Sequence, residues 1–414
     1  MGGNAMSEWK KVKLEDISTS IQTGPFGSQL HQSDYSEKGV PVVMPKDIID
    51  GKVDDSSIAR VEMHHIQRLS RYTISEGDIL YPRRGDVGKC AFISAKQNGW
   101  LCGTGCLRVS INQDKANSRF IFFQLQKRDT IGWIENHAIG ATMLNLNTSI
   151  LSNVPIELPT LNTQRRIAEI LSRYDSLIEN YQRQIKLLEE AAQRLYKEWF
   201  VDLHFPGHEN TPIIDGIPEG WEKKKIADVC DTIGGGTPST KVASYYEGGT
   251  INWVTPTDIT RNFSIYLLNT EKKITKEGLE HSSAKMLPPE TILMTSRASV
   301  GFFGLCDFEA CTNQGFISCV PFRKNFQMYL LYNLMNRVDE IRLKAGGSTY
   351  LEISKSVFRD FDIIYPEERL LALFQTSAHR IIDNIRVYVN QIRNLTEARD
   401  RLLPKFMNGE IEVS

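Results

Sequence analysis

Residues Ile167–Trp199 read IAEILSRYDSLIENYQRQIKLLEEAAQRLYKEW. Ile167, Leu171, Tyr174, Ile178, Tyr181, Ile185, Leu188, Ala192, Leu195 and Trp199 follow one another at alternating steps of four and three. That is the a/d seam of a left-handed coiled coil. A single amphipathic helix packed on a globular core drifts off so strict a period. No Gly or Pro interrupts the run. About 36 residues rising about 1.5 Å each make a rod of roughly 55 Å. One helix cannot bury this stripe by itself, so it needs a partner.

The partner lies in the same chain. Shifting every seam position by 207, from 167 to 374, gives Phe374, Ala378, Ile381, Ile385, Tyr388, Ile392, Leu395, Arg399, Leu402 and Phe406. All are apolar except Arg399, and tyrosine falls on tyrosine at Tyr181 and Tyr388. Pro404 is expected to end or kink this second helix. Breaking the seam, for instance at Ile385, is expected to separate the helices while each globular block stays folded.

A block of about 150 residues precedes each helix, so the repeat covers the whole chain. Trp9-Lys-Lys-Val-Lys answers Trp221-Glu-Lys-Lys-Lys-Ile, and Asp16-Ile-Ser answers Asp228-Val-Cys. Gly-rich loops follow: Thr23-Gly-Pro-Phe-Gly-Ser and Gly234-Gly-Gly-Thr-Pro-Ser. Val42-Val-Met-Pro-Lys-Asp-Ile matches Trp253-Val-Thr-Pro-Thr-Asp-Ile, each a short strand running into a Pro-containing turn. Gly77-Asp-Ile-Leu-Tyr-Pro-Arg-Arg-Gly-Asp-Val-Gly matches Glu290-Thr-Ile-Leu-Met-Thr-Ser-Arg-Ala-Ser-Val-Gly, pairing Arg84 with Arg297. Helical stretches at Phe120–Gln126 and Tyr329–Val338 lead to Gly140-Ala-Thr-Met-Leu-Asn and Gly347-Ser-Thr-Tyr-Leu-Glu. Short β-rich runs with a few helices give mixed α/β domains, and the chain as a whole is α+β. Its divisions read as a first domain over 1–159, a long helix over 160–203, linker and second domain over 204–366, and a second long helix over 367–414. The linker His204–Gly220 carries Pro206, Pro212 and Pro218 and is read as non-helical. If the second domain stays near the end of the first helix, the two helices run antiparallel, with the blocks at opposite ends and a pseudo-two-fold between them.

Composition sets outer limits. The 414 residues are 41% hydrophobic and 24% charged, the profile of an ordinary globular chain. No apolar run approaches the roughly 20 residues of a membrane span, and Met1–Lys10 has no export pattern. Cytoplasmic residence is expected, with the seven cysteines as free thiols. Cys102 and Cys106 have metal-like spacing, but no second pair completes a zinc set, so they read as buried thiols and no metal is expected. A net charge of −1 gives no global pull toward nucleic acid, and any DNA contact must come from local patches.

Catalytic motifs are missing. There is no G-x-x-x-x-G-K-[ST] loop, no dinucleotide fingerprint at Gly234, and no Asn-Pro-Pro-aromatic tetrapeptide of the kind a DNA amino-methyltransferase carries. His64 and His65 are adjacent and point different ways, which suits a structural role. Thr295-Ser-Arg has no partnered His or Asp at motif spacing.

What remains, two loop-bearing blocks alternating with two matched long helices, resembles the specificity subunit of a Type I restriction–modification system. The likeness rests on Gly235-Gly-Thr-Pro-Ser239, the Pro-x-Asp-Ile turns at 45–48 and 256–259, the Gly-[Ala/Ser]-Thr loops, and Thr163-Gln-Arg-Arg-Ile-Ala at the start of the first helix. The first Gly-rich loop departs from the pattern, and so does Glu368-Arg-Leu-Leu-Ala at the start of the second helix. The resemblance implies a non-catalytic subunit in which each domain reads one half of an asymmetric two-part DNA target. The coiled coil would set the unread spacer. It implies double-stranded DNA, two modification (methyltransferase) subunits and restriction subunits as partners, and no membrane. This chain would hold no cofactor itself, S-adenosylmethionine and ATP belonging to the partner subunits. The rival from another class is a coiled-coil scaffold that holds proteins without reading DNA.

Candidate DNA contacts lie in the matched loops. Arg83, Arg84 and Arg297 follow a strand and suit guanine, or phosphate. Lys46 with Asp47, and Thr257 with Asp258, occupy matched turns, where the aspartates either accept from cytosine or cap the turn. Thr142 and Thr349, short hydroxyls near glycine, suit close approach to the DNA backbone, and Thr237, Ser239 and Tyr350 in the same loops are further candidates. On the helix, Arg165, Arg173, Arg183, Lys186 and Arg194 interleave with Glu169, Glu179, Glu189 and Glu190, which reads first as a solvated coiled-coil face and second as a docking face.

Overall fold

A computed structural model describes residues 9–140, 143–347 and 350–413. The chain divides into two compact units. The first comprises Met1–Ser176 together with Thr396–Ser414, and the second is Leu177–Leu395.

In the first unit the strands Ser18–Thr23, Cys106–Ile111, Ile79–Pro82 and Ala91–Phe92 form an antiparallel sheet in that order. A second sheet runs Leu101–Cys102, Val40–Val43, Ala59–Val61, Tyr35–Ser36, and its first pair is parallel. Lys10–Lys13 pairs antiparallel with Pro155–Leu158, tying the beginning of the domain to its end. The second unit repeats the scheme. Cys230–Gly234, Phe316–Pro321, Ile292–Thr295 and Phe303–Gly304 make one sheet. Lys272–Ile274, Ile251–Val254 and Ala310–Thr312 make the other, again with one parallel pair. Glu222–Lys225 pairs with Asp362–Tyr365. The helices expected near Phe120 and Tyr329 are Ser118–Leu125 and Gln327–Asn336.

The first long helix is Leu161–Tyr196, continued by a π turn at Lys197–Val201, and the second is Glu368–Met407. Pro404 lies inside this second helix, which runs on to Met407. Close to a terminus proline removes a single ladder donor, and the chain tolerates that without turning. Within each unit the two helices pair antiparallel along the expected seam. In the second unit Tyr181 stacks on Tyr388 with ring centroids 5.0 Å apart, and further along Tyr196 meets Phe374. In the first unit Asp175 meets Arg399 at 2.8 Å, which explains the one polar seam position.

Every seam residue is at least half-buried. Ile167 and Leu171 join the core of the first unit with Phe120, Leu151 and Phe406, beside the half-buried Leu402. Ile178, Ile185, Ala192, Ala378, Ile385 and Ile392 join that of the second with Leu330, Ile341 and Phe358. Tyr181, Leu188, Leu195, Ile381, Tyr388 and Leu395 pack at its margin, and Tyr174 is also half-buried. The seam is therefore continuous with the domain cores. Gln164, 1% exposed, fastens the start of the first helix. It accepts from the Asn117 N–H and donates to the Pro159 carbonyl, each at 2.9 Å.

One expectation about the first helix is corrected. Glu189 is not part of a solvated face. Its carboxylate accepts the Ile265 N–H at 2.8 Å, and burial raises its pKa above the ordinary carboxylate value. The linker contains one 3-10 turn, His208–Asn210, and a two-residue hairpin pairing Ile213–Ile214 with Ile217–Pro218. Among the described residues no helix is long and apolar enough to cross a membrane.

Candidate nucleic-acid interface

In each unit the matched loops gather where the strand Ile79–Pro82, or Ile292–Thr295, leaves its sheet. Arg83 donates its N–H to the Gly105 carbonyl at 2.7 Å and accepts from the Leu146 N–H at 2.8 Å, while Arg84 bridges Asn145. In the second unit Ser296 donates to Gly315 at 2.8 Å, Ile353 donates to Ser296 at 3.0 Å, and Arg297 bridges Glu352. The post-strand segment is thus held between a loop at 103–105 (313–315) and a hairpin at 139–145 (346–352).

The hairpins turn on glycine. Gly140 and Gly347 have φ of 131° and 130°, and a Cβ there would lie 2.2 Å and 2.1 Å from the carbonyl oxygens of Met143 and Tyr350. The Gly-rich loops need glycine for close approach instead. Gly24 donates to Cys106 and Gly236 to Thr312, while a Cβ on Gly24 or Gly235 would fall about 2 Å from the carbonyl of Gly103 or Asn313. The Pro turns close the cluster, with Pro45 beside Gly105 and Pro256 beside Gly315.

The predicted residues separate into two groups. Arg84, Lys46, Thr237, Ser239, Arg297 and Tyr350 are exposed. Arg297 lies 3.5 Å from the Glu352 carboxylate, and the Thr237 hydroxyl donates to Gln314. Asp47 and Asp258 face inward as caps. Asp47, 3% exposed, accepts the Met44 N–H at 2.8 Å, and burial raises its pKa. Asp258 accepts from the Thr255 N–H and hydroxyl and from the Glu271 N–H. Thr257 is half-buried and its carbonyl accepts the Arg261 N–H. Arg83 is half-buried with its Nε shielded and unpaired, on the face opposite Arg84 because successive strand residues alternate. Thr142 and Thr349 lie outside the described residues.

Sequence reasoning missed the loops Gly103-Thr104-Gly105 and Asn313-Gln314-Gly315, and missed Asn145 and Glu352. The available signal was small and polar residues just before a matched strand. Cys102 and Cys106, which bracket the first of these loops, drew attention to metal instead. Both thiols are buried, Cys102 being pushed up to about 12 and Cys106 well up by burial. Among the described residues no His/Cys/Asp/Glu group could hold a metal ion. The cluster offers exposed arginine, amide and hydroxyl groups on backbone that glycine and cap geometry hold in place, an arrangement suited to hydrogen-bonded recognition.

A family model described as the Type I restriction modification DNA specificity domain matches residues 6–190 and 218–397. The HindI specificity subunit of Haemophilus influenzae, a type I restriction enzyme component, is 23% identical over 98% of this chain and 100% of its own length. The MjaIX specificity subunit of Methanocaldococcus jannaschii is 35% identical over 41% of this chain and 40% of its own. Among solved structures, the S subunit of a Type I restriction–modification system from M. genitalium matches with a TM-score of 0.60 at 15% identity, covering 98% of this chain and 97% of that one.

Proposed function

The chain belongs to the Type I restriction–modification DNA specificity family, and from that premise we propose that it is the DNA sequence-recognition subunit of such a system. Each unit reads one half of a two-part target, and the long helices set the unread spacer. The chain does no chemistry of its own. Modification subunits transfer methyl groups from S-adenosylmethionine, restriction subunits use ATP, and the solvent faces of the long helices receive the modification subunits. The expected setting is the cytoplasm.

The observation that carries this reading is the repeated loop cluster. Arg84 and Arg297 emerge at the same register of equivalent sheets, one in each unit, each flanked by a glycine-pivoted hairpin. Two recognition surfaces of one design but different residues suit two different DNA words, since arginine pairs with guanine edges and short polar groups contact phosphate or base. The test is a binding selection of the chain, with the modification subunit of its system, on random DNA pools. Enrichment of one bipartite sequence is expected. Absence of enrichment at every salt concentration would overturn the reading.

A further inference from the structure

The antiparallel pairing of Ile79–Pro82 with Cys106–Ile111 continues past Pro82. Arg83 bonds to Gly105, and on the other side Arg84 faces Asn145. Facing residues on neighbouring strands project to one side of the sheet. Asn145 and Arg84 thus share one face, and Thr104 lies beside them in the tight turn that the Cys106 N–H closes onto the Gly103 carbonyl. In the second unit Thr295 pairs with Phe316, Ser296 bonds to Gly315, and Arg297 faces Glu352 on the other side. The 3.5 Å approach of Arg297 to Glu352 agrees with a shared face.

The two clusters share geometry and differ in chemistry. In the first, the Asn145 Oδ1 and Thr104 Oγ1 are shielded from solvent and have no hydrogen-bond partner, while Arg84 stands exposed. In the second, Glu352 holds the Arg297 guanidinium and Thr237 donates to Gln314.

We propose that these clusters are the base-reading edges of the two units, and that Asn145 and Glu352, beside the arginines, are specificity-determining residues. The inference rests on the DNA-reading function above. The arginines address guanine O6 and N7. The Glu352 carboxylate can only accept, which fits the N4 amine of cytosine, and its charge repels a phosphate and so ties Arg297 to the base edge. The Asn145 Oδ1 is shielded, so its amide nitrogen is the group left to donate, which fits the N7 acceptor of a purine. The half-sites therefore differ beside each arginine, cytosine against the second unit and a purine against the first.

The test repeats the selection of full chain plus modification subunit with wild type, Glu352→Gln and Asn145→Ala. Glu352→Gln should lower discrimination for cytosine on the order of tenfold at one position of one half-site. Asn145→Ala should relax one position of the other half-site, with all remaining positions unchanged. Variants that keep the wild-type sequence at every position, or that weaken binding equally on all sequences, would overturn the inference and leave the function standing. Failure of wild type to enrich any sequence would overturn the function and the inference with it.

Discussion

Arg297 is exposed and is bridged to Glu352 two residues beyond the end of its strand. If it reads a base, Arg297→Ala costs about 1–3 kcal/mol of binding and relaxes one position of one half-site. Titrations against single-base variants of the selected site measure this, and a uniform loss across sequences would mean phosphate contact instead. Arg84 and Arg297 were legible because each follows a matched strand in a matched loop. The aspartates of the Pro turns could not be resolved in advance, because a carboxylate four residues after a strand end serves equally as a cap or as an acceptor. The fold uses Asp47 and Asp258 as caps, with backbone N–H groups already on their oxygens. Asn145 and Glu352 end the matched loops that begin at Gly140 and Gly347, but their place beside the arginines depends on a long-range bridge, and one chain alone does not reveal such pairing.

The long helices were the most legible elements, since a heptad repeat is a local signal. Where their sides face was not legible. Ile385 is 0% exposed and shares one cluster with Leu330, Ile341 and Phe358, so a break there cannot spare the second domain. Ile385→Ala is expected to cost about 2–5 kcal/mol, read as a lower urea midpoint of the second unit with loss of its protease resistance. That replaces the expectation of separated helices on intact domains. Glu189 makes a second element-scale prediction. Burial raises its pKa in the folded state, so its contribution is fully present below the ordinary value of 4.5 and is lost as pH rises through the raised one. Glu189→Gln keeps an acceptor for the Ile265 N–H and removes the titration. Its urea midpoint should gain on wild type as pH is raised from about 4 to 8. Equal midpoints throughout would show that the carboxylate stays well solvated.

At the scale of the whole molecule, the tandem repeat and the two mixed α/β domains followed from sequence, whereas strand order did not, because pairing partners lie far apart in the chain. The first unit is built from two separate stretches, and its last stretch carries real packing. Phe406 and Met407 are buried in its core, and Gln124 donates to the Met407 carbonyl. A chain ending at Leu395 is therefore expected to leave residues 9–176 open to limited proteolysis and dye binding while the second unit stays resistant. Protection of residues 9–176 in that truncation would contradict the prediction.

The same division has a consequence for biosynthesis. The second unit, Leu177–Leu395, is one uninterrupted stretch and can close as soon as it leaves the ribosome, whereas the first must wait for Thr396–Ser414. At about 5–20 residues per second, the intervening stretch takes on the order of ten to forty seconds to make. For that interval the earlier-made domain is the unfinished one. The order of folding is then expected to be the reverse of the order of synthesis, with the nascent first domain the part that gains most from a chaperone.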